Sequence, residues 1–284
     1  MKKFLIIVAL FALCNVSFAQ KGMSNKKITK KHVSILKEGE RLYRYECAAW
    51  YGGDFASQDN NIKNCIGYLI YESGDTIKNI FYNSDLDKCF IDVSFYKDDF
   101  KYPIKTLSGE RNLNSKELEL VKIKQNLINK VYSDTNFQIV QYKDFNLNFQ
   151  LLPNKKGYSF YILSGTSKPN VIPFGNDWVF NLNKKGEIKS WRKYHSVLIP
   201  AYISDSVETT TVFHSHLDKE PFVTPTDICT FKLYAPIFGV KNMYIYSPGV
   251  EKWYLYGTNM NSIIVLNKDF FEKIEASLEE RKKD

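Results

Sequence analysis

The chain contains the stretch Phe213-His214-Ser215-His216, which is followed after seven residues by Thr224-Pro225-Thr226-Asp227. Side chains of a strand alternate between its two faces, so His214 and His216 would project from the same face and could approach one metal ion together. Thr224 is a preferred helix cap, proline suits the first helical position, and Asp227 would lie in the first turn. The stretch therefore predicts a strand over 209–216, a loop, and a helix from Thr224 to about Tyr234.

Apolar runs on either side of this stretch predict further strands and one more helix. The run 160–163 predicts a strand that ends at Gly165, and 177–182 predicts a strand that pairs with 187–191 across a turn. The other elements predicted here are an apolar run at 195–200, a hairpin of 243–246 with 252–256, and a closing helix marked by Phe270, Phe271, Ile274 and Leu278.

The N-terminal half predicts mostly strands. Residues 39–100 predict successive strands, of which 65–71 and 76–82 form a hairpin around the turn 72–75. Asn114 is a helix cap with Glu117 three residues later, and the apolar spacing that follows predicts a helix to about Tyr132. Strands with segregated helices predict an α+β fold.

The predicted fold is a β-rich N-terminal unit with a covering helix, followed by a mixed sheet with helices. The predicted boundaries are a signal peptide at 1–19, a basic flexible leader at 20–38, the N-terminal unit at 39–150 and the second domain at 151–284. We find no internal repeat.

The first nineteen residues predict a secretory signal peptide. Met1-Lys2-Lys3 precedes an apolar run at 4–13, and Ser17-Phe18-Ala19 provides a cleavage site before Gln20. Cys14 is a weak lipoprotein acceptor because Leu13 precedes it. No other apolar stretch is long enough to span a bilayer. We therefore expect a protein exported to the periplasm or the exterior, with no transmembrane segment after cleavage.

The charge of the chain is mildly basic, with a formal net charge of +8. Five lysines lie between Lys21 and Lys31, in a region with little hydrophobic pattern, so the excess charge is predicted to belong to a solvated leader that also contains His32. No basic helix or patch of interleaved aromatic residues accompanies the charge, so we expect no nucleic-acid partner. The oligomeric state does not follow from the sequence.

Four cysteines follow the predicted cleavage site, in a compartment where disulfides can form. Cys47, Cys65 and Cys89 could supply one disulfide bond, whereas Cys229 falls in a predicted helix as a small buried residue. No CxxC pair occurs, so a zinc site built from cysteines is not expected.

His214-Ser215-His216, the seven-residue gap and Thr224-Pro225-Thr226-Asp227 resemble the JAMM (MPN+) metalloprotease signature. In that signature a strand offers His-Xaa-His and the next helix offers Ser-Xaa-Xaa-Asp. Residues 196–200 and 241–246 resemble the strands before and after the motif, and the resemblance covers about 158–257. It implies that His214, His216 and Asp227 bind zinc and that Thr224, at the serine position, stabilises the oxyanion.

The sequence differs from the JAMM pattern at three places. Leu217 stands where the family has proline, Thr224 stands where it has serine, and Tyr158 or Ser159 stands where an early strand should offer a proton-accepting glutamate. Glu187 and Glu208 are weak candidates to replace that glutamate. Loss of a general base lowers the rate by a factor of about 10² to 10⁴.

Two functions of different classes are consistent with these residues. The first is a zinc-dependent hydrolase that cleaves a peptide or isopeptide bond in an unidentified protein or peptide substrate. The second is a non-catalytic exported binding or envelope protein that retains a degenerate JAMM-like scaffold. Without a metal, the three side chains would form a hydrogen-bonded polar cluster. His195, at the start of an apolar run, is assigned no role.

Overall fold

The structure is a computed structural model that describes residues 24–204, 206 and 208–280, with the backbone alone for 277–280. The predicted signal peptide and residues 20–23 of the predicted leader lie outside the described residues. The described elements, in chain order, are α1 Asn25–Ala56, β1 Gly67–Ser73, β2 Thr76–Tyr82, β3 Lys88–Tyr96, β4 Lys105–Asn112, α2 Ser115–Ser133, β5 Asn146–Asn154, β6 Gly157–Gly165, β7 Val171–Gly175, β8 Trp178–Asn183, β9 Ile188–Lys193, β10 Leu198–Tyr202, β11 Thr211–Ser215, α3 Pro225–Tyr234, β12 Asn242–Ser247, β13 Lys252–Gly257, β14 Ile264–Asn267 and α4 Phe270–Glu280.

The fold is α+β, as predicted from the sequence. The strands form three four-stranded sheets, with the orders β1-β2-β3-β4, β5-β6-β8-β9 and β11-β12-β13-β14, and a two-stranded sheet of β10 and β7. Most neighbouring strands are consecutive in sequence, whereas α2 separates β4 from β5 and α3 separates β11 from β12.

The chain folds into two compact units that are not consecutive in sequence. The first unit contains the described residues up to Gly39, Lys168–Phe174, and the described residues from Ile199 onward. The second unit contains Glu40–Ser167 and Gly175–Leu198. The structure therefore divides the chain differently from the predicted boundary at 150/151, because segments distant in sequence pack into one core.

The second unit is built from two antiparallel sheets and α2. The predicted hairpin is confirmed, since β1 pairs antiparallel with β2 and Ser73 lies opposite Thr76. The predicted pairing of β8 with β9 is also confirmed. Asn114 caps α2 through a capping box with Glu117, as the sequence predicts. Apolar side chains of α2 and of both sheets share one core.

Two oppositely charged side chains are buried in the second unit. Glu46 of α1 accepts hydrogen bonds from Nδ2 of Asn148 and Nε2 of Gln150, both at 2.7 Å. Nζ of Lys124 in α2 donates to the carbonyl oxygen of Tyr68 at 2.7 Å. Burial raises the pKa of Glu46, and burial lowers the pKa of Lys124 to about 7 against the attraction of Glu46. Each group is thus shifted toward its neutral form.

The first unit is built around the sheet β11-β12-β13-β14. β11 pairs parallel with β12, and the predicted hairpin of β12 with β13 is confirmed. The predicted helix after Thr224 is α3, and its residues Ile228 and Phe231 are fully buried. The core of this unit combines α3, the sheet and the start of α1. The predicted closing helix is α4.

α1 contradicts two sequence predictions. Residues 25–38 were expected to be a flexible leader, and 39–56 were expected to form strands, yet all of them lie in one 32-residue helix. Ile28, His32, Leu36 and Gly39 recur at helical spacing and are buried, so the lysines between them occupy the opposite face. Packing of this apolar stripe stabilises the helix, because helices gain most of their stability from tertiary contacts.

Gly39 allows α1 to approach the start of α3 closely. A Cβ atom at this position would lie 2.7 Å from Cβ of Ile228 and 2.9 Å from the carbonyl oxygen of Pro225. Only a residue without a side chain fits at these distances. The first half of α1 is therefore fixed against the turn of α3 that contains Asp227.

The predicted disulfide bond is absent from the described part of the chain. Sγ of Cys65 lies 3.5 Å from the carbonyl oxygen of Asn61, and Sγ of Cys89 lies 3.3 Å from that of Ile91. Cys47 is buried in α1, and Cys229 is buried in α3 as predicted. Cys47, Cys89 and Cys229 are thus small buried side chains, and Cys65 is half-buried. Among the described residues, every helix is too short or too polar to cross a membrane.

Candidate metal centre

β11 positions the two histidines of the motif. Val212 and His214 are buried on the core face of the strand, whereas Phe213 points to the other face and is 37% exposed. His216 lies one residue beyond the strand, and its backbone N–H donates to the carbonyl oxygen of Tyr246 at 2.9 Å. This bond continues the ladder with β12, so His214 and His216 project from one face as predicted.

The start of α3 positions the carboxylate. Oγ1 of Thr224 accepts from the backbone N–H of Asp227 at 3.1 Å, and Oδ2 of Asp227 accepts from the backbone N–H of Thr224 at 2.8 Å. Oγ1 of Thr224 also donates to Oδ2 of Asp227 at 2.7 Å. This reciprocal capping box fixes the rotamer of Asp227 in the first turn of the helix.

The structure brings His214, His216 and Asp227 together. Nε2 of His214 lies 3.1 Å from Oδ1 of Asp227, and Nε2 of His216 lies 3.1 Å from Oδ2 of the same residue. All three side chains are almost completely buried, and their ligand atoms lie within 4.8 Å of one another. Ligands at about 2.0 Å from a tetrahedral ion stand about 3.3 Å apart. This buried cluster could hold a metal ion.

One aromatic ring lies beside the cluster, and the loop between the histidines and α3 is held in place. The ring of Phe174 lies 5.0 Å from that of His214, between centroids. The hydroxyl of Tyr254 donates to the carbonyl oxygen of Pro221 at 2.6 Å, which holds the loop between the histidines and α3. A Cβ atom on Gly249 would lie 2.4 Å from the carbonyl oxygen of Asp218, so the chain passes closely beside this loop.

His32 is a buried histidine of the first unit that the sequence predicted to lie in the flexible leader. Only 1% of it is exposed. Burial, and to a smaller extent the charge of His216, lowers the pKa of His32 to about 4. The helical spacing of Ile28, His32 and Leu36 was the signal that could have predicted its burial.

Glu220 is a second residue that sequence analysis did not single out. It lies in the loop after His216, and its backbone N–H donates to the carbonyl oxygen of Leu217 at 2.9 Å. Among the described residues of the first unit, Glu220 and Asp227 are the two buried carboxylates. A charged residue next to Pro221 in a short loop gave no sequence signal of burial.

The other predicted site residues have different surroundings. Thr224 caps α3 with its hydroxyl, and its role at an oxyanion stays a prediction. Glu187 is exposed in the turn before β9, where hydrogen bonds from Lys189 and Asn183 lower its pKa. Glu208 is exposed. His195, in the second unit, is buried with Nδ1 2.8 Å from Oδ1 of Asp177, an arrangement that fixes the orientation of an imidazole ring.

Comparison of the chain with protein-family models, with curated proteins and with solved structures finds no match.

Proposed function

We propose that this protein is an exported hydrolase that binds zinc through His214, His216 and Asp227 and cleaves a peptide or isopeptide bond. One observation carries the proposal: a single buried carboxylate lies 3.1 Å from an Nε2 atom of each of two histidines. The resemblance of this stretch to the JAMM signature supports the reaction class. Export rests on the predicted signal peptide.

The donor set favours zinc among the divalent metals. Two neutral imidazoles and one carboxylate are a common protein ligand set for catalytic zinc, and they leave one tetrahedral position open. Bound zinc polarises a carbonyl group and lowers the pKa of a water in the open position to about 7. The same three donors also suit Fe²⁺, so the metal analysis measures iron as well as zinc.

Each side chain of the cluster has a distinct part in this proposal. His214 and His216 offer Nε2 from the end of β11, and Asp227 adds a negative charge that balances part of the charge of the ion. Thr224 holds the Asp227 carboxylate through two hydrogen bonds. Because hydrogen bonds from outside the ligand set orient a ligand and raise metal affinity, the capping box would serve the metal site as well as the helix.

A non-catalytic binding or envelope protein is the alternative function. One observation favours it: both carboxylates proposed as replacements for the family glutamate, Glu187 and Glu208, are exposed. An exposed and strongly solvated carboxylate is poorly suited to accept a proton in a buried site. In this alternative the metal would stabilise the fold, and no bond would be cleaved.

Metal analysis of protein purified without a histidine tag tests the metal site. We expect about one zinc per chain in the wild type and a loss of zinc in His214→Ala and in Asp227→Ala. Asp218→Ala is the matched control, because Asp218 is an exposed acid in the same loop. Zinc that is absent from the wild type, or equal in the wild type and both ligand variants, would reject the site.

Hydrolysis of a peptide library separates the two functions. The zinc-loaded wild type should cleave library peptides, and His214→Ala should not. Zinc binding without cleavage of any library or isopeptide-linked substrate would favour the non-catalytic function.

Recovery of the exported protein tests the predicted localisation. Its intact mass should match a chain that begins at Gln20.

A further inference from the structure

The first half of α1 has an exposed face that is basic. Its buried face contributes Ile28 and Leu36 to the core of the first unit. Successive residues of a helix are turned by about 100°, which places the lysines of this half on the side opposite these apolar residues. The lysine face consists of five exposed side chains, Lys26, Lys27, Lys30, Lys31 and Lys37. It is the basic helix that the sequence was predicted to lack.

The charge of the lysine face is not balanced by neighbouring acids. Glu38, which follows the last of the five lysines, is the first acidic residue of the chain. Among the described residues, none of the five lysines forms an ion pair, whereas Lys88, Lys189 and Lys268 elsewhere on the surface do. Lysines four residues apart are separated by about 6 Å along the helix axis, which is less than the screening length of about 8 Å at physiological ionic strength. Their fields therefore add.

The composition of this face favours a surface of phosphate headgroups over nucleic acid. Residues 24–38 expose no aromatic side chain that could stack on a base, and they contain no arginine that could contact a base edge. Lysine is a point charge that attracts phosphate groups without requiring a fixed geometry. Clusters of about four to eight basic residues on a helix are typical of proteins that bind anionic lipids.

We propose that the lysine face of α1 binds the anionic phospholipid headgroups of a bilayer surface. The choice of a membrane also draws on the proposed export, which would place the protein beside a bilayer. Ile28 is completely buried in the core, so the apolar face of α1 does not insert into the lipid as that of an interfacial amphipathic helix does. Val33, which is 50% exposed, is the single exposed apolar side chain within residues 24–38. Binding is therefore mainly electrostatic, and salt should reverse it.

Sedimentation with lipid vesicles tests this interaction, with the chain that begins at Gln20. One set of vesicles contains phosphatidylcholine alone, and the other contains about one third phosphatidylglycerol, which supplies the anionic charge. Duplex DNA at the same phosphate concentration is the competing partner. The lipid and salt dependence of the wild type tests the proposal even where a variant does not fold.

Two triple variants separate the lysine face from net charge. The face variant replaces three lysines that form one row along α1: Lys26→Gln, Lys30→Gln and Lys37→Gln. The control variant replaces three exposed lysines of the second unit: Lys155→Gln, Lys156→Gln and Lys184→Gln. Both variants lose the same charge, and thermal unfolding shows whether each is folded.

At low salt the wild type should bind the anionic vesicles and not the neutral ones. A lysine near an anionic surface contributes about fivefold to binding, so the face variant should bind about 100-fold more weakly. The control variant should stay within about threefold of the wild type, and about 0.5 M salt should release the wild type.

Equal binding by the two variants would overturn the proposal, and so would absence of binding by the wild type. Duplex DNA that binds the wild type more tightly than the anionic vesicles would assign the lysine face to nucleic acid instead. The metal ligands have no part in these measurements, so a negative result here leaves the proposed hydrolase to its own tests.

Discussion

The carboxylate of Asp227 takes part in two arrangements at the residue scale. It closes the capping box of α3, and it lies 3.1 Å from an Nε2 atom of His214 and of His216. The hydrogen bonds of the box hold the side chain in one rotamer, so the position of the carboxylate is set before any ion binds. Preorganised ligands bind metals more tightly, because little conformational freedom is lost on binding.

Thr224→Val should therefore reduce both stability and metal affinity. The substitution keeps the shape of the side chain but removes the hydroxyl, which leaves the backbone N–H of Asp227 without its cap. We expect the free energy of unfolding to fall by about 1–2 kcal/mol, as for other lost helix caps. Denaturant unfolding measures this change, and zinc affinity should fall in parallel. Thr224→Ser is the control, since it retains the hydroxyl. Equal stability of the valine and serine variants would contradict the prediction.

The sequence predicted the three ligand candidates because each follows from a local rule. Two histidines with one residue between them share a strand face, and an aspartate three residues after a cap lies in the first turn. His32 and Glu220 could not be predicted in the same way. Their burial depends on segments distant in sequence that pack around them. Nothing in the sequence marks the burial of Glu220, and only the helical spacing with Ile28 and Leu36 marks that of His32.

At the scale of elements, α1 is the helix that the pattern of apolar residues did not predict. The hairpins and α2 were predicted correctly, because turn residues and caps mark their ends. α1 has several lysines in its first half and contains Gly39, Gly52 and Gly53, which are poor helix formers. Tertiary packing overrides these preferences, and a single sequence shows that packing only as a faint helical spacing of buried residues.

Gly39→Val should destabilise the first unit. Its Cβ would lie 2.9 Å from the carbonyl oxygen of Pro225, a backbone atom that cannot move aside easily. We expect a loss of about 2–3 kcal/mol in the free energy of unfolding, together with weaker zinc binding, because the start of α3 would shift. Denaturant unfolding and zinc titration check both effects.

Gly53→Ala is the control on the same helix. No atom lies within 4 Å of the position that its Cβ would take. Alanine should therefore stabilise the protein by up to about 1 kcal/mol through its higher helix propensity. If both glycine substitutions have the same effect, the close approach of α1 to α3 is not needed for stability.

Lys124 in α2 should make stability depend on pH. Its pKa of about 7 in the folded protein is below the ordinary value of 10.5 that applies to the unfolded chain. Between these values the unfolded chain binds more protons, so the free energy of unfolding should rise as pH rises through this window. Urea unfolding at about pH 7 and about pH 8.5 measures the slope.

Lys124→Met should lose this part of the pH dependence, because methionine has no proton to release. Lys122→Met, at an exposed position of the same helix, should keep it. The same slope in both methionine variants would show that Lys124 is not the group responsible.

At the scale of the whole molecule, zinc should stabilise the protein by mass action. At a zinc concentration about a thousand times the dissociation constant, the free energy of unfolding should rise by about 4 kcal/mol. The melting temperature of the first unit should rise by several degrees, and a chelator should reverse the change. Asp227→Asn should show no zinc-dependent shift. A shift of equal size in this variant would mean that zinc acts elsewhere.

The division into two units could not be predicted from the sequence. A linear boundary near residue 150 follows from the change in pattern, but the first unit combines the start of α1 with Lys168–Phe174 and with the described residues from Ile199 onward. Composition and periodicity describe neighbours along the chain. They hold no information about which distant segments share a core.

This discontinuity has a consequence for the order in which the protein is made. A ribosome releases the chain from its N-terminus, and the segments of the second unit are complete once residue 198 has emerged. The first unit has to wait for β11, α3 and the strands that follow them. The start of α1 is synthesised well before the segments that it packs against. A nascent chain could therefore form the second unit first, and the candidate metal ligands would assemble only after the strands that follow α3 have emerged.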